Sequence, residues 1–561
     1  MAVRENYDDN KLINGTSSAD SIFNTGSKVT ISGGDGSDTV DNGDWTVIGG
    51  SYIDSEWKIR AGSKTSLFGG SKVSINGGKG DDAIENYGSN VSISGGSDND
   101  YVENYRSNVL ISGDNGNDRI NNYLLYPDYY PLTADLITAP DNSTLLGGEG
   151  DDYIFNEGGS NVSINGGAGD DRILNYYLEE DYINSKNVTI DGGDGNDFIS
   201  NGELGAEGSN NVSINAGSGN DTVYNNADNA TIKTGAGNDS IKNVYSDSVA
   251  IDAGAGNDSI YNAGIATIDA GAGNDSIYNY NGRATINAGA GNDTINNQRS
   301  SATIDAGAGN DSIYNNGDAI IYAGAGDDTV SLGGHYFYTS GGYAKFVTID
   351  GGTGNDFICA EKGAESVSIN GGEGNDTISC PYAKDVTIIG GKGNDLISIG
   401  SGTNNLIKYS LGDGKDTIYG FNDDDSIQLL TDSKIAANMN GNDAIFKVDD
   451  TAEAITLKDV LSGGSAQIKI LYKTGELTTY TFNKNTGIIT NENDSITLTS
   501  PFSGTFDASN YNNVTPRLPT IKSHSRAARA TASRLVAARQ MILYKISRLK
   551  VHWSAARATI P

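Results

Sequence analysis

Between Ile251 and Asp269 the chain alternates apolar and polar residues in two short runs divided by turns. Gly254 and Gly256 mark a turn that Asp258 closes, and Ser259-Ile260-Tyr261 is a short strand. Asn262-Ala263-Gly264 is a second turn, and Ala266-Thr267-Ile268 a second strand. Neighbouring side chains on a strand point to opposite faces. Ile260 therefore faces one way and Ser259 and Tyr261 the other, while Ala266 and Ile268 share a face opposite Thr267. The same phase places Val40, Ile84, Val102, Ile120, Ile154, Ile173, Ile199, Val223, Ile241, Ile260, Ile277, Ile295 and Ile313 inward. All are β-branched, which suits stacking on a pleated surface.

The unit recurs. (Ala/Thr)-Gly-x-Gly-(Asn/Asp)-Asp-x-(Val/Ile) opens at Ala216, Thr234, Ala253, Ala270, Ala288, Ala306 and Ala323, at intervals of 17 to 19 residues. Related copies open at Gly33, Gly77, Gly95, Gly113, Gly147, Gly166, Gly192, Gly351, Gly371, Gly390 and Leu411. A unit this short buries its apolar face only against copies of itself. The pattern predicts an all-β solenoid in which each coil is two strands and two turns. A second column, from Asn42 and Asn86 through Asn262 to Asn315, follows the motif strand at constant phase. Stacked amides of this kind bond from coil to coil, so the column is expected to be architectural.

The phase lengthens at 123–144, 176–187, 202–210 and 333–346, where loops are expected to leave the solenoid. The first carries Tyr123, Tyr126, Tyr129 and Tyr130, and aromatic loops on a rigid scaffold are candidates for partner binding, or neutral insertions. The expected organisation is an N-terminal capping coil over 1–32, the solenoid over 33–405, and a terminal repeat with a small antiparallel β cap over 406–513. In the cap, Ala444 to Val448 and Leu477 to Phe482 read as antiparallel strands. A basic tail follows over 514–561.

Glycine chemistry adds a site. Alternating glycines permit positive φ and turn backbone carbonyls toward a common point that the next Asp carboxylate reaches. Carbonyl and carboxylate oxygens suit a hard cation such as calcium, whereas zinc would need Cys or His. Histidine occurs only at His335, His524 and His552.

An intact copy, Gly192-Gly193-Asp194-Gly195-Asn196-Asp197-Phe198-Ile199, resembles the RTX, or haemolysin-type, calcium-binding repeat of secreted bacterial proteins. The resemblance implies a right-handed parallel β-roll or β-helix with calcium ions between successive same-side turns. The matching aspartates are Asp38, Asp82, Asp118, Asp152, Asp171, Asp197, Asp221, Asp239, Asp258, Asp275, Asp293, Asp311, Asp328, Asp356, Asp376, Asp395 and Asp416. Carbonyl ligands are expected from Gly195, Gly219, Gly237, Gly254, Gly256, Gly271, Gly273, Gly289, Gly291, Gly307 and Gly309. Because the alternate turn is rich in Asn, one row of ions along the glycine-rich edge is expected. Asp98 and Asp114 each replace a glycine, which puts occupancy of the Gly95 and Gly113 turns in question.

The net charge of −34 calls for counter-ions and argues against a nucleic-acid partner. Residues 515–561 hold ten Lys or Arg and no acid, leaving 28 basic against 72 acidic groups elsewhere. The tail reads as a basic amphipathic helix, or better as an out-of-frame translation. Ala-Ala-Arg at Ala527, Ala537 and Ala555 recurs at repeat-like intervals, and Ala555 to Ile560 is encodable so that a shifted frame gives Gly-Lys-Gly-Asn-Asp. Cys359 and Cys380 are expected to be free thiols, although a disulfide between adjacent coils is the alternative. No apolar leader opens the chain and no stretch reaches membrane-spanning length. The resemblance implies export through an uncleaved C-terminal signal.

No His-Glu-x-x-His or Gly-x-Ser-x-Gly occurs, so no enzymatic activity is expected. The expected function is that of a secreted, extracellular or cell-surface calcium-binding repeat protein that folds on binding calcium. The alternatives are a surface adhesin or structural protein, or the non-catalytic repeat part of a larger toxin or enzyme.

Overall fold

The computed structural model describes residues 2–498 and 513–515, apart from 7, 9, 25–27, 43–51, 54–58, 61–71, 125–138, 179–185, 203–205, 209, 300, 334–345, 361–365, 383, 401–402, 433, 450–453 and 492–494. The greater part of the expected loops at 123–144, 176–187 and 333–346, part of that at 202–210, and the tail from 516 lie outside the described residues. All three histidines fall there too. The described chain contains strands and no helix. It divides into two compact units, one up to Val330 and one from 343 on.

The first unit is a stack of coils whose strands form two parallel sheets. Ser259–Asn262 pairs in parallel with Ser276–Asn279, and that with Thr294–Gln298. Ala266–Asp269 pairs in the same way with Ala284–Asn287, and that with Ala302–Asp305. Register is kept, so Ile260, Ile277 and Ile295 lie over one another in one sheet and Ile268, Ile286 and Ile304 in the other. Strands pair about 4.8 Å apart, which sets the rise per coil. The inward side chains are fully buried, Ile260 at 1% exposure and Ile295 at 0%. Thr267 is exposed, as alternation requires.

The expected Asn column is present and longer than the sequence suggested, because it begins at Asn6 and Asn24. Each side-chain amide donates to the carbonyl oxygen of its counterpart in the next coil, Asn243 to Asn262 and Asn262 to Asn279 both at 2.8 Å. The second N–H of Asn262 caps its own turn at Gly264 O, 2.7 Å away. These asparagines are buried, at 0–5% exposure, and the ladder satisfies groups that would otherwise destabilise the interior.

Two glycines of the motif are required by both backbone conformation and stacking. Gly254 and Gly256 have φ of 105° and 140°. A Cβ on either would lie 2.1 or 1.5 Å from the carbonyl oxygen of Gly235 or Gly237 in the preceding coil. Asp98 and Asp114, which stand where the motif has glycine, adopt the same left-handed backbone at φ 79° and 78°.

The second unit is built from the same coil, with Val347–Thr353, Val367–Glu373 and Thr387–Lys392 stacked in parallel. Its end departs from that pattern. The expected antiparallel strands form as Asp443–Val448, paired with Ile435–Asn440, and Leu477–Asn483, paired with Ser465–Leu471. Two strands of this end run parallel to the last coil, Ala454–Leu457 beside Lys415–Tyr419 and the same Ser465–Leu471 beside Ser426–Leu429. The antiparallel segments thus extend both sheets, and Phe446 meets Phe482 edge to face at 5.6 Å with both rings buried. Cys359 and Cys380 form no disulfide with each other.

Candidate metal-binding edge

In the turn from Ala270 to Asp275 every backbone N–H from Gly273 onward reaches a neighbouring coil. Gly273 donates to Ala290 O at 2.7 Å, Asn274 to Asn257 Oδ1 at 2.6 Å, and Asp275 to Asp293 Oδ1 at 2.8 Å. Ser276 donates back to Asp258 O at 2.8 Å. Amides are thus consumed by stacking, and oxygens are left in excess.

The aspartate closing each turn points inward. Within the first unit Asp38, Asp82, Asp118, Asp152, Asp171, Asp197, Asp221, Asp239, Asp258, Asp275, Asp293, Asp311 and Asp328 are buried to 1–2% exposure in one column. In the second unit Asp356, Asp376, Asp395 and Asp416 are buried to 1–4% exposure. One carboxylate oxygen, Oδ1, accepts the backbone N–H of the aspartate one coil earlier, as Asp293 does from Asp275 and Asp311 from Asp293 at 2.8 Å. The other oxygen, Oδ2, is buried without any donor in Asp38, Asp82, Asp118, Asp152, Asp171, Asp197, Asp221, Asp239, Asp258, Asp275, Asp293, Asp311, Asp376 and Asp395, among the described residues. A buried, unpaired carboxylate oxygen is costly unless something outside the chain compensates it.

Sequence reasoning missed two members of this column. Asp100 joins it with the same geometry, accepting the Asp82 amide at 2.8 Å and leaving its Oδ2 without a donor. Asp98 in place of glycine cast doubt on the Gly95 turn and left its closing aspartate unassigned, although the 18-residue phase to Asp82 and Asp118 marks it. Asp20 stands in the column but differs in function, because its Oδ2 takes the Thr16 N–H at 2.6 Å and the Thr16 hydroxyl at 2.9 Å. Its Gly15 turn carries none of the later glycines of the motif.

Burial pushes these carboxyls well above their ordinary range, opposed by the accepted amide hydrogen bond and reinforced by like charges one coil away. Asp152, Asp171 and Asp221 rise to about 7, and Asp258 and Asp311 to about 6. Asp100 and Asp416 rise to about 8. A column of carboxyls held this way attracts either protons or cations.

The unpaired oxygens share their surroundings with backbone carbonyls. A Cβ built on Gly77 would lie 2.3 Å from Asp82 Oδ2 and 2.4 Å from the carbonyl oxygen of Gly95, and one on Gly371 2.4 Å from Asp376 Oδ2 and 2.3 Å from Gly390 O. The two sets of motif glycines differ. Carbonyls of Gly254, Gly271, Gly289 and Gly307 accept amides from the next coil at 2.8–2.9 Å. Those of Gly195, Gly219, Gly237, Gly256, Gly273, Gly291 and Gly309 also run along the stack, and among the described residues they accept no backbone amide. Among the described residues no three carboxylate, imidazole or thiol groups converge on one point. A cation on this edge would draw one or two carboxylates and take its remaining oxygens from carbonyls and water, a donor set that fits calcium. The opposite edge has no such surplus along the Asn ladder, whose amides are paired from coil to coil.

Comparison with known proteins agrees with this geometry. The model of the RTX calcium-binding nonapeptide repeat matches residues 136–162, 184–203, 208–232, 261–295, 303–319, 315–334, 342–364, 363–379, 382–406 and 410–429. No curated protein sequence matches the chain. Among solved structures, an extracellular lipase of Serratia marcescens is 19% identical over 37% of this chain, at a TM-score of 0.18. The chain spans 37% of that lipase. A Ca2+-dependent β-helical antifreeze protein from an Antarctic bacterium is 20% identical, covering 64% of this chain and 81% of its own, at a TM-score of 0.22. Neither superposition is close.

Proposed function

We propose that this chain, which belongs to the RTX calcium-binding repeat family, is a secreted protein whose solenoid folds when calcium fills the glycine-rich edge. The observation that carries the reading is the file of buried Oδ2 atoms without donors, from Asp38 through Asp311. In this reading the ligands are the closing aspartates, including Asp100, with glycine carbonyls beside them. Calcium supplies the positive charge that the column lacks. It forms one row, since the ladder amides of the Asn-rich edge are paired from coil to coil. The chain acts by binding and has no catalytic step.

Ligand sets of this kind in extracellular modules bind calcium at about 0.1–1 mM. A site at ten times its dissociation constant adds about 1.4 kcal/mol to folding, and many sites in series sum to a decisive contribution. The array would stay loose where calcium is scarce and fold after export, where calcium is plentiful. Localisation outside the cell follows from that requirement.

Circular dichroism of the full chain in chelator and in millimolar calcium tests the reading. A gain of β-sheet signal with calcium, and little with magnesium, is expected because magnesium demands a smaller octahedron and keeps its water. Identical spectra with and without calcium would refute it.

A further inference from the structure

The two sheets of the first unit present different outer faces. On the sheet that contains Thr231–Ala236, Lys233 is bridged to Asp252 at 3.1 Å, and Asp269 and Asp305 also point outward. On the other sheet, among the described residues, the exposed outward positions from Arg119 to Tyr314 include no Asp or Glu; Glu157 shares the outward phase but is buried at 8% exposure and accepts the Leu124 amide at 3.3 Å. Towards the N-terminus acids return at Glu103, which is bonded to Tyr101 and Tyr105, and at Glu85, which is bonded to Tyr87. In a chain with 72 acidic residues, a stretch of face this poor in exposed acids is a selective feature.

That face carries cations placed on aromatic rings. The Arg119 guanidinium lies 4.5 Å from the centre of the Tyr153 ring and 5.8 Å from that of Tyr101. Arg172 lies 4.2 Å from the Phe198 ring, and Lys242 sits between Tyr224 and Tyr261 at 5.5 and 6.0 Å. Arg299, at the adjoining turn, lies 5.3 Å from the ring of Tyr280 and donates to its hydroxyl at 3.1 Å. Rings hold a cation in place without neutralising it. All four are exposed, and among the described residues none of them pairs with a carboxylate.

We infer that this face is a docking strip for an extended anionic polysaccharide. From Arg119 to Ser312 the register makes nine coil-to-coil steps, about 43 Å at about 4.8 Å each. A straight strip of that length suits a linear polymer. The cations lie two and three coils apart, roughly 10 and 14 Å. Nucleic acid presents a phosphate about every 3.4 Å of strand, far denser than these cations, so most of its phosphates would face the acidic chain unpaired. The aspartates on the other edge of a second copy recur at every coil, so docking them here would leave carboxylates buried without partners. A glycan with one acid group per one or two disaccharides matches the spacing. Tyr261 and Tyr278 stack on each other at 5.6 Å, so they offer hydroxyls and edges outward, which favours charge and hydrogen-bond recognition over stacking on sugar rings.

The test is binding of hyaluronan oligosaccharides, which carry one carboxylate per disaccharide, to the full chain in millimolar calcium. Dextran of equal length, an oligo-dT strand and the protein's own self-association by sedimentation are the comparisons. Binding should weaken as salt rises and be lost by about tenfold or more in Arg119→Gln/Arg172→Gln/Lys242→Gln, while Lys233→Gln on the other face binds as before. Circular dichroism verifies that each variant folds, and Lys242→Gln alone, at an exposed position, should already bind more weakly. Undiminished binding by the triple variant, equal or tighter binding of dextran or oligo-dT, self-association that blocks the strip, or no binding by the folded wild type would overturn the assignment.

Discussion

Asp275 accepts the backbone N–H of Asp258 through Oδ1, 2.8 Å away and one coil earlier, while its Oδ2 is buried with no donor. The same carboxylate therefore stitches two coils together and leaves an uncompensated charge between them. The two oxygens separate in mutation. Asp275→Asn keeps the acceptor and replaces the charged oxygen by an amide, so it should make the metal-free protein more stable and lower calcium stoichiometry. Asp275→Ala removes the acceptor as well, leaving the Asp258 amide unsatisfied at a cost of about 1–3 kcal/mol. Thr267→Ala, on an exposed outer face, should change stability by no more than about 0.5 kcal/mol. Denaturant unfolding with and without calcium, beside a count of bound ions, checks all three. Equal loss of ions in Asp275→Asn and Thr267→Ala would contradict the assignment.

The raised carboxyls give the metal-free protein an inverted pH dependence. A carboxyl whose folded pKa lies above its unfolded value contributes stability that is complete below the unfolded value and is lost as pH rises through the folded one. For Asp82 and Asp152 that window runs from 3.8 to about 7, and for Asp100 to about 8. In chelator the β-sheet signal should therefore be stronger at pH 5 than at pH 8, and calcium should restore it at pH 8. A metal-free protein that is better folded at pH 8 than at pH 5 would contradict this account.

The Asn ladder should matter for stability and not for calcium. Replacing Asn262 by Leu removes its bonds to Asn243 and Asn279 and leaves groups of both buried without partners. The expected cost is about 1–3 kcal/mol for each unsatisfied group, read as a lower unfolding midpoint in saturating calcium. The number of bound ions should be unchanged.

The solenoid was legible because stacking forces the same residue types to recur. A buried Ile at the position of Ile260 and a buried Asn at that of Asn262 leave a period that no other fold explains. The closing aspartates were legible for the same reason. What was left unassigned lay in turns that depart from the motif: Asp98 replaces a glycine beside Asp100 although it keeps the glycine backbone, and the turn before Asp20 lacks the later glycines. Turn composition also could not tell which glycine carbonyls face amides. Gly254 and Gly256 look alike in sequence, yet the carbonyl of Gly254 accepts an amide from Ala272, whereas among the described residues that of Gly256 accepts none. The parallel strands Ala454–Leu457 and Ser465–Leu471 escaped notice because they lie outside the repeat and declare their partners only through long-range pairing.

Asp98 and Asp114 offer the last prediction, because they share a backbone conformation and differ in what holds it. Both sit near φ 79°, where a side chain costs about 1–2 kcal/mol that glycine avoids. The Asp114 carboxylate is bonded by the hydroxyls of Ser94 and Ser112, whereas among the described residues Asp98 receives only a long bond from the Gly80 amide at 3.2 Å. Asp98→Gly should therefore raise stability by up to about 1 kcal/mol, with the greater freedom of glycine in the unfolded chain offsetting part of the relief. Asp114→Gly forfeits two charge-assisted bonds and should be neutral or destabilising. Unfolding midpoints of the two variants in calcium distinguish these outcomes, and a stabilised Asp114→Gly beside a destabilised Asp98→Gly would show that the serine contacts do not hold that turn.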